Sequence, residues 1–287
     1  VFLFSSYQDE AVSLLQFSRS GKSDLRIFDR ETGVPLSETL LFSQGILSQS
    51  VDEAAGVLHV LQGLSGRNRQ LRGISLRGKS VGKDLYLTTL SPNEIGSDLR
   101  GSQIYAKDSH LVLMVPSGVQ RRKSGVYVFD LRKKRLSYTI PLPEDREWSK
   151  GSCEGVPIDS DGILYLYSET RATEPGNRTG FLGAYILGET PQLKWEAVAP
   201  TLPFSASARW TLDTGMKNHL LFLTPEGDIP GEKGDRPVAA LYSKVRGGYL
   251  EQVFSDLDDR LKGKVVSRAP GRLLFSTSTG VKGYGSP

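Results

Sequence analysis

One apolar segment recurs along the chain, each time bounded by small or polar residues. The copies are Leu14-Leu15-Gln16-Phe17, Val57-Leu58-His59-Val60, Leu111-Val112-Leu113-Met114, Ile163-Leu164-Tyr165-Leu166, Leu220-Leu221-Phe222-Leu223 and Leu273-Leu274-Phe275-Ser276. Successive copies lie about 43, 54, 52, 57 and 53 residues apart, close to the period of a propeller blade. Upstream of each copy comes another candidate strand and a polar turn, such as Val51-Asp52-Glu53-Ala54-Ala55-Gly56 or Ile158-Asp159-Ser160-Asp161-Gly162. Downstream, a Gly-rich loop leads into a third strand: Leu25-Arg26-Ile27-Phe28, Leu71-Arg72-Gly73-Ile74, Val126-Tyr127-Val128-Phe129, Leu182-Gly183-Ala184-Tyr185 and Ala239-Ala240-Leu241-Tyr242. A tight turn to a fourth strand follows, as in Asp29-Arg30-Glu31-Thr32-Gly33 and Leu131-Arg132-Lys133-Lys134-Arg135. Strand, turn, strand, loop, strand, turn, strand is a four-stranded antiparallel meander. Helical spacing is confined to residues 255–261, which predict a short helix between two repeats.

A four-stranded sheet has two faces and cannot bury both alone. Packing each sheet on the next buries them in series, and closing the series into a ring protects the terminal sheets. The expectation is therefore an all-β fold, a six-bladed β-propeller occupying residues 1–287 as one domain. The blades fall at about 1–43, 44–92, 93–144, 145–200, 201–257 and 258–287. An open array of β-sandwiches is the alternative, and it fits a period near fifty residues less well. The sixth repeat is incomplete, since the chain stops after Val281-Lys282-Gly283-Tyr284 where a fourth strand should begin. A three-stranded last blade, closure by Val1-Phe2-Leu3-Phe4, or closure by a C-terminal extension all remain open.

The fourth repeat carries the fullest signature. Gly155-Val156-Pro157-Ile158-Asp159-Ser160-Asp161-Gly162-Ile163-Leu164-Tyr165-Leu166-Tyr167 is followed by Gly183-Ala184-Tyr185-Ile186-Leu187 and Leu193-Lys194-Trp195-Glu196. This run resembles a repeat of the quinoprotein-like (PQQ-type) propellers, in which an acidic-Gly turn precedes the strand and a docking Trp ends the outer strand. Val126-Tyr127-Val128-Phe129-Asp130-Leu131 and Ile27-Phe28-Asp29-Arg30-Glu31-Thr32-Gly33 are similar in their third strands. The other outer strands have no counterpart of Trp195. Quinone-dependent members place a vicinal cysteine pair beside the cofactor, and this chain has only Cys153, so no quinone or other cofactor is expected. Non-catalytic members of that fold act as scaffolds and binding platforms, and the resemblance implies such a role, with no enzyme activity favoured.

Composition narrows the setting only slightly. With 38% hydrophobic and 24% charged residues the chain is a folded globular protein rather than a disordered one. No apolar run is long enough to cross a bilayer as a helix. A first residue Val1 fits a processed chain or a domain of a longer one. The lone cysteine leaves the redox compartment open, and Asn177-Arg178-Thr179 fits a glycosylation acceptor. A secreted, periplasmic or lumenal location is favoured over a cytoplasmic one.

Candidate chemistry is sparse. His110 and His219 occupy the same repeat slot two repeats apart, and His59 lies two places later in register, too dispersed for metal bonds of about 2 Å, so no metal site is expected. Asp159-Ser160-Asp161-Gly162 lacks the distal carboxylates of a calcium loop and reads as a turn. Neither a nucleophile elbow nor a phosphate loop occurs. The remaining catalytic option is a carboxylate pair on inner strands, Glu154 with Asp213, Glu147 lying nearby. One would act as acid and the other as base in a hydrolase or lyase on a small or sugar-like substrate, with Trp148 or Trp210 as a stacking surface.

Charge placement says more. The net charge is only +4, but the loops between second and third strands are basic in the first three repeats: Arg19 and Lys22, Arg67 and Arg69, then Arg121, Arg122 and Lys123. The corresponding loop of the fifth repeat is mixed, Glu226, Asp228, Glu232 and Asp235 outweighing Lys233 and Arg236. At the opposite end the third-to-fourth turns are basic in repeats two and three, through Arg77, Lys79 and Lys83, then Arg132, Lys133, Lys134 and Arg135. This predicts binding of an anionic macromolecule, a protein above all, through the loops of repeats one to three. Nucleic acid fits less well, because no aromatic residues interleave with the basic ones; lipid headgroups and the oligomeric state are left open.

Overall fold

The computed structural model describes residues 2–7, 11–17, 23–29, 31–42, 45–52, 54–63, 68–95, 99, 102–107, 109–115, 125–148, 152–154, 157–171, 178–201, 209–214, 218–227, 236–247, 249–252, 265–269, 272–277 and 280–285. It divides into two compact units, Val1–Pro141 and Leu142–Pro287. Within the first, three four-stranded meanders follow one another. The first sheet is β1 (Phe2–Tyr7), β2 (Ala11–Phe17), β3 (Ser23–Asp29) and β4 (Leu40–Phe42). The second is β5 (Ile46–Asp52), β6 (Val57–Gly63), β7 (Arg69–Ser75) and β8 (Asp84–Leu90), and the third is β9 (Gln103–Lys107), β10 (His110–Val115), β11 (Gly125–Asp130) and β12 (Arg135–Ile140).

The burial along these strands explains their order. The middle strands β6, β10 and β11 are apolar almost throughout and buried on both faces, whereas β8 and β12 alternate between exposed and covered positions. A strand covered on both faces needs a continuous apolar run, and one at the rim needs only alternation. Leu25, Ile27 and Phe42 of the first sheet pack on Leu58, Val60 and Ile74 of the second. The opposite face of the second sheet, through Leu61, Leu71 and Leu90, packs on Ile104, Leu111, Leu113, Tyr127 and Phe129 of the third. The unpaired edge of β9 is also satisfied, since the Ile104 and Ala106 amides donate to the hydroxyls of Ser48 and Ser50 on β5, at 3.0 and 3.1 Å. These serines close an edge that would otherwise leave N–H groups unpaired.

A polar ladder crosses the second sheet. His59 on β6, Gly73 on β7 and Tyr86 on β8 are register partners. A Cβ at Gly73 would sit 2.2 Å from the Tyr86 ring, so glycine alone lets that ring lie across β7. The Tyr86 hydroxyl thereby reaches His59 Nδ1 at 2.6 Å. Gly73→Ala is expected to displace the ring and to cost about 1–3 kcal/mol in urea unfolding. The same substitution in a Tyr86→Ala background should cost little, because the space is then vacant.

In the second unit, β13 (Arg146–Trp148), β15 (Ile163–Thr170), β16 (Gly180–Ile186) and β17 (Gln192–Ala199) form one sheet. Another contains β14 (Ser152–Glu154), β18 (Arg209–Asp213), β19 (His219–Gly227), β20 (Arg236–Ser243) and β21 (Tyr249–Gln252). A third contains β22 (Val265–Ala269), β23 (Arg272–Thr277) and β24 (Gly280–Gly285). Each recurrent apolar segment of the sequence is thus a second strand of its meander: β2, β6, β10, β15, β19 and β23. Phe2, Leu3 and Phe4 pair with Gln16, Leu15 and Leu14 inside the first sheet. The helix expected at 255–261 lies outside the described residues.

Candidate functional site

The first strand of the fourth repeat is divided between two sheets. β13 pairs antiparallel with β15, Arg146 opposite Thr170 and Trp148 opposite Ser168. β14 instead pairs parallel with β18 of the next sheet, Ser152 opposite Arg209, Cys153 opposite Trp210 and Glu154 opposite Thr211. Glu154 therefore stands on the strand adjacent to Asp213 and two register positions from it. Strand spacing and the rise of two residues put such positions about 8 Å apart at Cα, with the same pleat parity. Glu147 belongs to β13 and faces Glu169 across that pair, in the other sheet. The sequence nominated Glu154 and Asp213 from equivalent places in consecutive repeats. It carried no sign that β14 would cross over and make them neighbours.

The tryptophans do not form a stacking surface. Trp148 and Trp210 are 4% and 1% exposed. Trp210 lies 5.7 Å from Phe222 and 5.6 Å from Tyr167, centroid to centroid, and is enclosed in that aromatic cluster. The expectation that either indole faces a substrate is corrected by this burial: both are core side chains, and Trp210 with Tyr167 joins the sheet of β18 to that of β15.

The acidic-Gly turn has a structural partner that sequence reading missed. Asp159 is buried, and its carboxylate accepts hydrogen bonds from the amides of Asp161 and Ile163, at 2.9 and 3.1 Å, and from the Tyr165 hydroxyl at 2.7 Å. Lys244, also buried, brings Nζ within 3.5 Å of the same carboxylate and donates to the Thr214 carbonyl at 2.7 Å. Burial and the neighbouring Asp159 charge push the Tyr165 hydroxyl well above the usual tyrosine range. Trp195 donates its indole N–H to the Lys244 carbonyl at 2.8 Å, and its ring occupies the space that a Cβ on Gly247 would enter at 2.5 Å. The outer-strand Trp of the fourth repeat is thus seated on the turn after β20 in the following sheet. Gly247, at φ +68°, suits that turn both by its backbone and by its lack of a side chain.

A second buried ion pair joins Glu169 on β15 to Arg178, two residues before β16. The Tyr167 hydroxyl is 2.7 Å from Glu169 and 2.8 Å from the Pro200 carbonyl. Across the same sheet Arg146 pairs with Glu196 and lies 3.6 Å over the Phe181 ring. Tyr185 beside them is pushed up to about 12, chiefly by burial and also by the Glu196 charge, with Arg146 opposing.

Of the basic residues nominated between second and third strands, Arg19, Lys22, Arg67, Arg121, Arg122 and Lys123 lie outside the described residues. Arg69 is half-buried, and its Nη1 donates to the Asn68 carbonyl at 2.9 Å. The third-to-fourth turns are described: Arg77, Lys79, Lys83, Arg132, Lys133, Lys134 and Arg135 are all exposed.

No family profile matches the sequence, and no curated protein is similar to it in sequence. Solved structures do resemble it. The β-propeller domain of the Trilobed protease from Pyrococcus furiosus, described as having an open velcro topology, matches with a TM-score of 0.58 at 8% identity, over 100% of this chain and 86% of that one. The fold is propeller-like. The Dos1 propeller matches at 0.54 and 9% identity over 96% of this chain and 64% of that one. A structure from work on two prolyl endopeptidases matches at 0.57 and 15% identity, over 99% of this chain and 39% of that one. The chain is therefore an all-β, propeller-like arrangement of mainly antiparallel sheets, with the length of a part of the prolyl endopeptidase chain. Among the described residues no helix is long and apolar enough to cross a membrane.

Proposed function

We propose that this chain is a hydrolase propeller acting on a small substrate at its inner strands, with Glu154 and Asp213 as its acid–base pair. The observation that carries the reading is the parallel pairing of β14 with β18, which sets the two acidic positions on adjacent strands. In this reading the two carboxyl groups hold a water molecule between them, one protonating a leaving group and the other activating the water. That geometry favours a sugar-like substrate. The likeness to the β-propeller domain of the Trilobed protease and to a prolyl endopeptidase structure supports a hydrolytic setting and makes peptides the second class to test.

The six sheets among the described residues support a ring of six blades whose last member has three strands. The seating of Trp195 on the following sheet supports kinship of the fourth blade with the quinoprotein-like repeat. Binding of an anionic protein by the second-to-third loops of blades one to three stands as a further proposal, with Arg69 its one described member.

The test is turnover of aryl glycosides and fluorogenic peptides by the purified protein. One class should be hydrolysed, and Glu154→Gln and Asp213→Asn should each lower kcat by about 100-fold or more. Hydrolysis that both variants retain in full would remove the pair from the mechanism.

A further inference from the structure

The geometry points to a docking surface for an acidic protein segment on the third-to-fourth turns of the second and third sheets, within the first unit. Two hydrogen bonds align these sheets. The Ile104 and Ala106 amides meet Ser48 and Ser50 in the same order along both chains, so β5 and β9 run parallel and end on the same side. In a meander the third strand runs in the direction of the first, so the third-to-fourth turns emerge at that end too. Contacts between the turns agree: Arg77 Nη1 donates to the Ala54 carbonyl at 3.0 Å in the second sheet, and the Leu131 amide donates to the Ser109 carbonyl at 2.8 Å in the third. Arg77, Lys79 and Lys83 thus leave the unit beside Arg132, Lys133, Lys134 and Arg135, all exposed.

The described acidic residues at this end do not cancel that charge. Asp84 is paired with Arg72. Asp52 is buried. Asp130 is spent on the turn itself, accepting from the amides of Arg132 and Lys133 at 2.9 and 3.0 Å, with Lys133 Nζ at 3.6 Å. Those bonds hold its carboxyl below the usual range, the Lys133 amide contributing most. On the first-sheet side the surface changes sign, because Glu31 and Glu38 are exposed on the β3–β4 connection, whose Ser37 lies against Gly82.

Lys134 adds an independent indication. Its φ is 54°, and every other described residue with positive φ is glycine. A lysine in the left-handed region costs about 1 kcal/mol that glycine would not.

The chemistry selects protein over nucleic acid or membrane. The turns carry no aromatic side chain on which a base could stack. Leu85 and Leu87, exposed at 48% and 53%, run down the edge strand β8 away from the turns. A flat bilayer meeting the turns would miss them. An extended chain crossing the rim would set its carboxylates on the basic turns and its apolar residues on these leucines, along a strand that pairs only with β7 among the described residues.

The probe is a short labelled peptide in which glutamate alternates with leucine, compared with a single-stranded oligonucleotide and phosphatidylserine vesicles. The peptide should bind the wild-type protein with an affinity that falls as salt rises, and more tightly than the other two probes. Lys79→Glu combined with Arg132→Glu should weaken it about tenfold or more. Leu87→Ser should weaken it several-fold at constant salt, and Lys134→Gly should lower affinity while raising the melting temperature. Equal peptide binding by the charge-reversed protein, absence of peptide binding, or tighter binding of oligonucleotide or vesicles would each overturn the proposal.

Discussion

Lys244→Met is expected to lower the unfolding free energy by about 3 kcal/mol or more, because it removes a buried ammonium from beside the buried Asp159 carboxylate. The carboxylate keeps two amide donors and the Tyr165 hydroxyl, which limits the loss but does not neutralise the charge. The Thr214 carbonyl also loses its donor. Asp159→Asn should cost a similar amount by leaving Lys244 as the unpaired charge. The double variant should be less destabilised than the sum of the two, since no lone charge then remains buried. Urea unfolding of the four proteins measures the coupling. A loss under about 1 kcal/mol for Lys244→Met would place the pair among solvated surface bridges.

The second large effect is a dependence of stability on pH set by His59. Its ring is 1% exposed, Nδ1 bonds the Tyr86 hydroxyl, and Nε2 has no partner among the described residues. Burial lowers its pKa from 6.5 to about 4. The unfolded chain therefore binds a proton between these values that the folded protein refuses. Stability is complete above pH 6.5, declines as pH falls, and is fully lost for this group below about 4. Between pH 7.5 and 4.5 the wild type should lose about 2–3 kcal/mol more than His59→Leu, measured by urea unfolding at both values. Parallel pH profiles would show that the ring is charged or solvated in the folded protein.

Both effects arise between residues far apart in sequence, and neither pair was legible there. The repeat was legible because a middle strand covered on both faces must be apolar throughout, and that demand leaves a mark at every turn of the period. Trp195 was legible as a docking residue through the resemblance to the quinoprotein-like repeat; its seat on Gly247 and the Lys244 carbonyl was not. His59 read as an ordinary strand residue. Its character comes from Gly73, whose missing side chain admits Tyr86, and a glycine in a strand announces close approach without saying what approaches. The crossing of β14 into the next sheet had no local signal at all, since three residues of extended chain pair as well with either neighbour.

Glu154 and Asp213 carry the functional account, and the most direct measurement is kcat/KM for Glu154→Gln, Asp213→Asn and the double variant on the substrate that the protein hydrolyses. Two groups acting as one acid–base unit give a double variant about as impaired as the worse single one. Losses that multiply independently, or no loss in either single variant, would contradict the reading of β14 and β18 as the two walls of one site.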